Sequence, residues 1–366
     1  MKHQTGIDRG AMTLDDLIAT QNSTANDAGS PYANGSVVAE LHSSHLHPLK
    51  VVSLRNFLAQ ELVPRATIMG PWLMTQSLSM IYGWRGVGKT HVSLGVACAV
   101  ASGTSFLNWT ADKPHRVLLL DGEMPATALQ ERLKAIIASS HIQLKDDFLT
   151  IVTPDLQAGV MPDLSTYKGQ EAVNAAIEQS GAELIIVDNL SCLVRGSGRE
   201  NEAESWTSVS EWALYQRQHK RSVLFIHHAG KGGQQRGTSK REDVLDVVIA
   251  LRRPPDYDPA IGACFEVHFE KARHMHGDVT APIEATLTTD AKGLACWAWR
   301  FVEDTTFDRV VELANHGLTQ RDIVDELGLS PSTISRAWRK ADDEGMLEKK
   351  SSAKGNNQHT RRGNVK

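Results

Sequence analysis

Residues 83–90 constrain the fold of this chain more than any other part of its sequence. They read Gly-Trp-Arg-Gly-Val-Gly-Lys-Thr, which fits the pattern G-x-x-x-x-G-K-[ST] at every fixed position. An apolar run at residues 78–82 precedes them and a helical run follows, so the chain passes from strand to loop to helix. Glycines let successive backbone N–H groups turn inward around phosphates, because no Cβ obstructs them. The segment therefore predicts a phosphate-binding loop within an α/β fold.

The same loop predicts a site for ATP and Mg²⁺. Lys89 is expected to reach the β- and γ-phosphates, and Thr90 to place its hydroxyl on Mg²⁺. The helix that begins at Lys89 adds the positive partial charge of its N-terminus. The predicted nucleotide contacts are Gly83, Trp84, Arg85, Gly86, Val87, Gly88, Lys89, Thr90 and His91. A glycine-rich turn that fits the pattern by chance is the alternative, and the strand–loop–helix setting argues against it.

A second apolar run ends in a carboxylate and predicts the other metal ligand. Residues 184–188 read Leu-Ile-Ile-Val-Asp, and Asp188 is expected to hold Mg²⁺ together with Thr90. The alternative is that Asp188 only caps the turn that follows the strand. Asn189 comes next, where many P-loop ATPases carry a catalytic Glu. The residue that activates water must then lie elsewhere.

Glu123 is the predicted catalytic base. It ends the run Val-Leu-Leu-Leu-Asp-Gly-Glu at residues 117–123, the first strand after the P-loop helix. Its carboxylate is therefore expected at the same edge of the sheet as the phosphates, where it can orient and deprotonate the attacking water. Two alternatives remain open. Glu123 could cap a helix that starts near Pro125, or Asp121 could be the base.

The rest of the central region has the pattern of a parallel sheet flanked by helices. Short β-rich runs alternate with helical stretches from about residue 54 to residue 304. The predicted strands are residues 78–82, 116–120, 148–152, 183–188, 222–227 and 244–251. Two more alternating runs, residues 264–270 and 283–288, follow a turn marked by two prolines and predict an antiparallel edge. The expected fold class is α/β, with a small all-α domain after it.

Composition divides the 366-residue chain into four predicted segments. Residues 1–45 are rich in Ser, Thr, Asn, Gly, Asp and His, which is typical of a mobile arm. Residues 46–304 are the predicted core, residues 305–348 a helical domain, and residues 349–366 a basic tail without acidic residues. Because the net charge is −4, any affinity for nucleic acid must come from local patches such as this tail. A solvated terminus is the alternative for the tail.

The helical domain contains a segment that resembles a helix-turn-helix motif. Ile323, Val324, Leu327, Leu329 and Ile334 are spaced to pack two short helices, with Gly328 in the turn and Ser330-Pro331 at the start of the second helix. The residues expected to face a major groove of duplex DNA are Ser332, Thr333, Ser335, Arg336 and Arg339. A module that contacts protein instead is the alternative.

Cysteine spacing and hydropathy favour a cytoplasmic protein. Cys98, Cys192, Cys264 and Cys296 lie far apart and share no metal-ligand spacing, as expected for thiols in a reducing compartment. The first 30 residues lack the order of a signal peptide, and the longest apolar run, residues 94–101, is too short to span a bilayer. No membrane partner is expected.

Taken together, these motifs resemble the RecA-like hexameric helicase superfamily. The resemblance covers about residues 73–280 and rests on the loop at residues 83–90, Glu123, Asp188 without an adjacent Glu, and the strand that ends in His227-His228. Residues 120–133, which read Leu-Asp-Gly-Glu-Met-Pro-Ala-Thr-Ala-Leu-Gln-Glu-Arg-Leu, look closest to the plasmid RepA-type replicative helicases. Residues 236–239, Arg-Gly-Thr-Ser, add to that likeness. It implies a ring, expected to be hexameric.

The resemblance also gives roles to four further residues. It implies that His227 or His228 senses the γ-phosphate, although two polar residues can simply end a buried strand. Lys271 and Arg273 lie in a segment similar to the K-x-R-x-G segment of hexameric helicases, where both cations reach the neighbouring subunit's ATP. Cations there stabilise charge in the transition state. Alternatively, the pair protects an edge strand from aggregation.

Two Gly-rich basic segments, residues 195–199 and 230–241, follow strands that end at the nucleotide edge. In RecA-like rings such loops line the channel and contact single-stranded DNA, although surface loops have a similar composition. The predicted contacts are Arg199, Lys231, Arg236, Lys240 and Arg241. The sequence thus predicts a ring-forming, ATP-driven DNA translocase or helicase that replicates a plasmid or other mobile element. The rival prediction is a DNA-binding regulator, switched by ATP, that reads its site through the helix-turn-helix.

Overall fold

The structure is a computed structural model that describes residues 49–140, 142–196, 202–230, 242–255, 257–291 and 293–347, without the side chains of residues 202–204. The chain divides into two compact units between Val63 and Pro64. The described part of the first unit contains helix α1 (Leu54–Leu58), whose N-cap Ser53 accepts a hydrogen bond from the Asn56 N–H. Among the described residues, no helix is both long and apolar enough to cross a membrane.

The second unit alternates strands and helices along most of its length. Its strands are β1 (Thr67–Met69), β2 (Leu73–Met74), β3 (Leu78–Gly83), β4 (Ser105–Phe106), β5 (Trp109–Thr110), β6 (Val117–Asp121), β7 (Leu149–Val152), β8 (Leu184–Asp188), β9 (Ser222–His228), β10 (Val247–Arg252), β11 (Cys264–Ala272), β12 (Ile283–Thr289) and β13 (Ala295–Phe301). Its helices are α2 (Lys89–Ser102), α3 (Ala126–Ser140), α4 (Tyr167–Ser180), α5 (Leu190–Leu193), α6 (Glu202–Gln218), α7 (Val302–Asn315), α8 (Gln320–Leu327) and α9 (Pro331–Asp343).

Nine of these strands form one sheet in the order β13-β12-β11-β10-β3-β9-β8-β6-β7. The six strands from β10 to β7 are parallel, and β11, β12 and β13 add an antiparallel edge. The predicted α/β fold with a mostly parallel sheet is thus confirmed. Because β3 lies inside the parallel part, the loop that follows it opens at the carboxyl edge of the sheet, where ligands of such sheets bind.

The two faces of the sheet are covered by separate apolar clusters. One cluster joins α2 and α3 to the sheet, and the other joins α4 and α6 to the opposite face. Helix α2 is buried along nearly its whole length because it is covered on two sides. The sheet lies beneath it, and the aromatic rings of Phe106, Phe265 and Trp297 belong to or pack against the same cluster. This burial fixes α2, and with it the loop that precedes the helix.

The antiparallel edge reaches over α2. The ring centroids of His91 on α2 and Trp297 on β13 are 5.9 Å apart, and those of Phe265 on β11 and Trp297 are 5.2 Å apart. β11 and β12 were predicted as strands, but β13 was not. The N-terminal part of α2 therefore lies beneath a strand that the sequence pattern did not show.

Three C-terminal helices follow β13 without a linker. Helix α7 begins at Val302, so the predicted boundary between residues 304 and 305 falls inside it. Arg309 on α7 is paired with Glu284 on β12 at 2.5 Å, which ties the helix to the sheet. Val310, Ile323, Leu327 and Ile334 form a separate small core. Between α8 and α9 the chain makes a three-residue turn at 328–330, where Gly328 has φ +63° and Ser330 accepts the Thr333 N–H.

Candidate nucleotide site

The loop at residues 83–90 needs glycine at three positions. A Cβ on Gly83 would lie 2.7 Å from the Leu251 carbonyl oxygen on the neighbouring strand β10. Gly86 and Gly88 have φ angles of +74° and +115°, which side chains of L-residues rarely adopt. Gly88 is also the N-cap of α2, so the backbone N–H groups of the first helical turn face the loop. This is the geometry of an anion site.

The Lys89 side chain folds back into the loop. Its amine is buried and donates hydrogen bonds to the carbonyls of Gly83 at 2.9 Å and Trp84 at 2.7 Å. Burial lowers the pKa of Lys89 to about 8, while the carboxylates of Asp188 and Glu123 act in the opposite direction. The amine is therefore still largely protonated at neutral pH and lies where it can exchange the two carbonyls for phosphate oxygens.

Asp188 ends β8 on the face of the sheet that carries α2. Its Oδ2 accepts a hydrogen bond of 2.5 Å from Ser93, one turn along α2 from Thr90. Burial raises the pKa of Asp188 to about 6. The short helix α5 is capped by Asn189 and not by Asp188, so the capping alternative for Asp188 fails. Its carboxylate and the Thr90 hydroxyl are oxygen ligands of the type that Mg²⁺ prefers, so the donor set fits that ion.

Asp121 and Glu123 differ in their surroundings. Asp121 is 3% exposed, and its Oδ1 accepts the N–H groups of Glu123 at 3.1 Å and Met124 at 3.2 Å. Burial raises the pKa of Asp121. Its carboxylate thus fixes the turn that leads to Glu123. The side chain of Glu123 is 57% exposed and lies above that turn.

The Glu123 carboxylate meets two side chains from other strands. Asn189, at the end of β8, donates its Nδ2 to Glu123 Oε2. His228, the last residue of β9, places Nε2 at 3.8 Å from the same oxygen. The alternative that Glu123 caps the following helix finds no support here, because Asp155 Oδ2 accepts the Ala126 N–H at 2.8 Å. The structure thus brings Glu123, Lys89, Asp188 and His228 to one edge of the sheet.

The two adjacent histidines point to opposite faces of the sheet. His228 pairs in register with Gly83 and lies on the α2 side. His227 pairs in register with Tyr82 and is 4% exposed. Val223 and Phe225, at alternate positions before it, belong to the cluster beneath α4 and α6, so His227 lies on that side of the sheet. The sequence left the choice of sensor open between them. His228 is the one that faces the Glu123 carboxylate.

Lys271 and Arg273 lie at the opposite edge of the sheet. β11 runs antiparallel to β10, and Ala272 pairs with Val247, the first residue of β10. The length of β10 therefore separates this pair from the chain's own loop by roughly 17 Å. The sequence showed no partner for either cation within the chain. The structure gives each a backbone carbonyl, since Lys271 donates to Glu242 and Arg273 donates to Asp243 at 2.7 Å.

Three residues near the loop were missed by the sequence analysis. Asn189 was noted there only as a position without Glu. Arg253, after β10, donates to the Gly86 carbonyl at 3.4 Å and stacks on Tyr257 with 4.1 Å between its Cζ and the ring centroid. Arg132 on α3 lines a cavity that also reaches His91, the residue after the loop. No role was predicted for these positions, because their contacts come from strands and helices distant in sequence.

That cavity has a volume of about 300 Å³ and lies between α2, α3 and β13. Its lining includes His91, Phe106, Arg132, Trp297 and Trp299. The His91 ring packs edge-on against Trp297, and burial, followed by the charge of Arg132, lowers its pKa. The His91 side chain thus faces this cavity and not the interior of the loop.

The predicted DNA contacts are only partly within the described residues. Arg199, Lys231, Arg236, Lys240 and Arg241 lie outside them, as do residues 1–45 and 349–366. On α9, Ser332, Arg336 and Arg339 are exposed, and Ser335 is half-buried. Thr333 is also half-buried, and its hydroxyl hydrogen-bonds to that of Ser330 at 2.8 Å. The exposed face of α9 therefore has fewer of the predicted residues than the sequence suggested.

A protein-family model described as an AAA domain matches residues 43–234, just over half of the chain. The chain belongs to the AAA domain family. The matched region runs from before β1 to just after β9, and so contains the loop, Glu123, Asp188 and His228. This AAA domain therefore has a P-loop ATPase core with a mostly parallel sheet, and the site residues lie at the carboxyl ends of its strands or in the segments that follow them.

A solved structure also aligns with part of the chain. A crystal structure of a KaiC-like protein from the hyperthermophilic archaeon Pyrococcus horikoshii OT3 aligns with a TM-score of 0.45 and 12% identity. The alignment covers 62% of this chain and 90% of that one. A search of curated proteins gave no significant match.

Proposed function

We propose that this chain is an ATP-driven DNA translocase or helicase that works as a ring, in the replication of a plasmid or other mobile element. The observation that carries the proposal is the separation of the cations. Lys89, Glu123, Asp188 and His228 meet at one edge of the sheet, while Lys271 and Arg273 lie at the other. A copy of the chain whose amino edge faced this site would complete it with both cations.

Within one subunit the residues divide the work of hydrolysis. Lys89 and the N–H groups of the loop bind the phosphates, and Thr90 and Asp188 would hold Mg²⁺. The ion, when bound, neutralises charge on the β- and γ-phosphates. Glu123 orients and deprotonates the attacking water, and His228 lies beside it as the sensor.

The cavity next to His91 offers apolar aromatic walls and one cation, which suits a nucleotide base.

Cations from a neighbour would act on the charge that develops in the transition state. Lys271 and Arg273 now donate to carbonyls of residues 242 and 243, and each must exchange that bond for one to a phosphate oxygen. A charge-assisted bond to phosphate is stronger than one to a neutral carbonyl, so the exchange is favourable when the neighbour holds ATP. Hydrolysis would then depend on assembly.

The test is ATP turnover without DNA, with single-stranded DNA and with duplex DNA, together with the particle mass in a non-hydrolysable ATP analogue. The proposal expects turnover that single-stranded DNA stimulates and a ring-sized mass with nucleotide. The Lys89→Ala protein is the negative control, because it lacks the main cation that binds the triphosphate. Lys134→Ala is the matched control, since this exposed lysine lies on α3 and binds Gln130. Full turnover of the Lys89→Ala protein would disprove the site itself.

A second candidate function is a DNA-binding regulator that ATP switches between assembly states. The observation that favours it is the C-terminal helix pair, in which α8 begins with a capping box between Thr319 and Asp322. The exposed side chains of Ser332, Arg336 and Arg339 would enter a major groove. This candidate expects duplex binding that changes with ATP, and turnover that single-stranded DNA does not change.

Replacing both Arg336 and Arg339 with Ala tests the helix pair directly. Duplex affinity is expected to fall at least tenfold at moderate salt, because phosphate and base contacts from two cations are lost. ATP turnover without DNA should not change, since α9 packs on α7 and α8 and carries none of the site residues. Binding is measured by fluorescence anisotropy over a range of salt concentrations. Unchanged affinity at every salt concentration would leave the helix pair as a protein-contact module.

A further inference from the structure

Asn189 lies in the centre of the site. The hydrolysis mechanism described above assigns it no role. It directly follows Asp188 at the carboxyl end of β8 and is 2% exposed. A buried amide needs partners for both of its ends, because an unsatisfied polar group in the interior is costly. Its contacts therefore show what holds the side chain and what the side chain holds.

The two ends of the amide bind different elements. Nδ2 donates to Glu123 Oε2, which comes from the turn after β6. Oδ1 accepts the Cys192 N–H at 3.2 Å, which makes Asn189 the N-cap of α5. The orientation of the amide is thus set by the helix, and its donor end is directed at the carboxylate.

Glu123 has little else to hold its side chain. Its own turn is fixed through backbone N–H groups that Asp121 accepts, and this leaves the Glu123 carboxylate unrestrained by that turn. Among the described residues, Asn189 donates the one hydrogen bond that the Glu123 carboxylate accepts. His228 Nε2 is farther away, at 3.8 Å from Glu123 Oε2. An exposed Glu otherwise samples many rotamers, most of which point away from a bound phosphate.

We infer that Asn189 is a positioning residue that holds the Glu123 carboxylate over the nucleotide site. This inference rests on the proposed function, because it takes Glu123 as the base in ATP hydrolysis. In many P-loop ATPases the residue after the metal-binding Asp is the base itself. Here that position supports a base from the neighbouring strand, and the N-cap of α5 fixes the support.

Asn189→Ser separates the two ends of the side chain. Serine is as good an N-cap as asparagine, so α5 keeps its cap, but the shorter side chain no longer reaches Glu123. We expect kcat for ATP to fall about tenfold, because the base is less often in place, while the affinity for nucleotide stays unchanged. Asn189→Asp is the second variant. It keeps the cap acceptor but places a second carboxylate against Glu123, and its loss of kcat should be larger.

The deciding measurement is the same substitution in a Glu123→Gln background. If Asn189 acts through Glu123, adding Asn189→Ser to Glu123→Gln causes no further loss of kcat. Steady-state kinetics gives kcat and KM for each protein, and a fluorescent ATP analogue gives the dissociation constant. Thermal melting shows whether α5 and the sheet remain folded.

Each outcome decides the question. A tenfold fall in the single variant that vanishes in the Glu123→Gln background supports the inference. Wild-type kcat in both Asn189 variants overturns it, and so does a loss that multiplies with that of Glu123→Gln, which would place the effect at the metal site. If Glu123→Gln alone turns over ATP at the normal rate, the base is misassigned, and the proposed mechanism fails together with this inference.

Discussion

At the scale of single residues, burial separates two carboxylates that lie two positions apart. Asp121 is buried, and one of its oxygens accepts two backbone N–H groups. Moving its side chain would therefore break the hydrogen bonds that fix the turn. Glu123 is exposed and its carboxylate contacts residues from two other strands. A base has to approach water and release a proton, which requires access. These surroundings favour a structural role for Asp121 and support the proposal that Glu123 is the catalytic base.

Replacing Glu123 with Gln should keep ATP bound but lower turnover on the order of a hundredfold, since the amide preserves shape and loses the base. Asp121→Asn should mainly lower the melting temperature, because an amide group weakens the two bonds that fix the turn. Turnover, nucleotide affinity and thermal melting are measured on both. A large turnover defect in Asp121→Asn at an unchanged melting temperature, with none in Glu123→Gln, would reverse the assignment.

The histidines allow a similar comparison. His228→Ala should lower kcat at least tenfold with little change in stability, because His228 faces Glu123 at the edge of the sheet. His227→Ala removes a ring buried against the other face and should destabilise the fold by about 2 kcal/mol. Kinetics and chemical denaturation of the two variants distinguish these effects. Equal turnover defects in two proteins of normal stability would contradict the choice of His228.

The sequence predicts those site residues that belong to local patterns. Residues 83–90, Glu123 and Asp188 each end or follow an apolar run, and the parallel sheet brings the ends of such runs together. Asn189 and Arg253 could not be assigned in this way, since their roles depend on hydrogen bonds across strands. The choice between His227 and His228 also needed the structure, because it depends on which face of the sheet α2 covers.

At the scale of elements, α2 depends on a glycine in its interior. A Cβ on Gly95 would overlap the Phe106 ring, which is buried and packs against both Trp109 and Trp297. Because this ring is enclosed, it cannot swing aside cheaply. The glycine therefore sets how closely the β4–β5 hairpin approaches the P-loop helix.

Gly95→Ala is expected to destabilise the protein by about 1–3 kcal/mol, the usual cost of forcing extra volume into a packed core. It should also raise KM for ATP, since the overlap lies on the helix that starts at Lys89. Gly159→Ala is the matched control, because nothing lies within 4 Å of a Cβ there. Chemical denaturation of the two proteins gives the comparison. Equal stability of both variants would mean that Phe106 can move.

The antiparallel edge contains both strands that the sequence pattern predicted and one that it did not. β11 is buried over its first four residues and β12 alternates buried and partly exposed residues over its first four, and both were predicted. β13 has Trp and Phe at every second position from Trp297 to Phe301, but its residues are largely exposed, and Ala298 and Arg300 stand between the aromatic residues. Its position over α2 depends on how far the sheet curls. That property arises from the packing of distant strands and leaves no local pattern.

At the scale of the whole molecule, mixing experiments test whether two copies share one site. Arg273→Ala should leave each subunit able to bind ATP and remove most turnover, whereas Lys89→Ala removes the nucleotide contact. Mixing the two inactive proteins should restore part of the activity, because some interfaces then pair Lys89 of one copy with Arg273 of the next. Turnover is measured while one variant is titrated into the other at fixed total concentration.

The control is a pull-down through a tag on one variant, which shows that subunits exchange. If exchange occurs and turnover stays flat at every ratio, Arg273 does not act on a neighbour, and its bond to the Asp243 carbonyl is its role. Arg252→Ala is a suitable comparison, since that arginine pairs with Glu270 across β10 and β11 and should not complement.

In the proposed assembly, the nucleotide site and the Lys271–Arg273 pair, which lie at opposite edges of one sheet, would give each copy two unlike contact surfaces. A contact between unlike surfaces either closes into a ring or leaves a row with two unequal ends. In an open row, the copy at one end always has a site without its cations. Specific activity should therefore rise with the length of the row, fall on dilution, and become independent of concentration once the ring has closed.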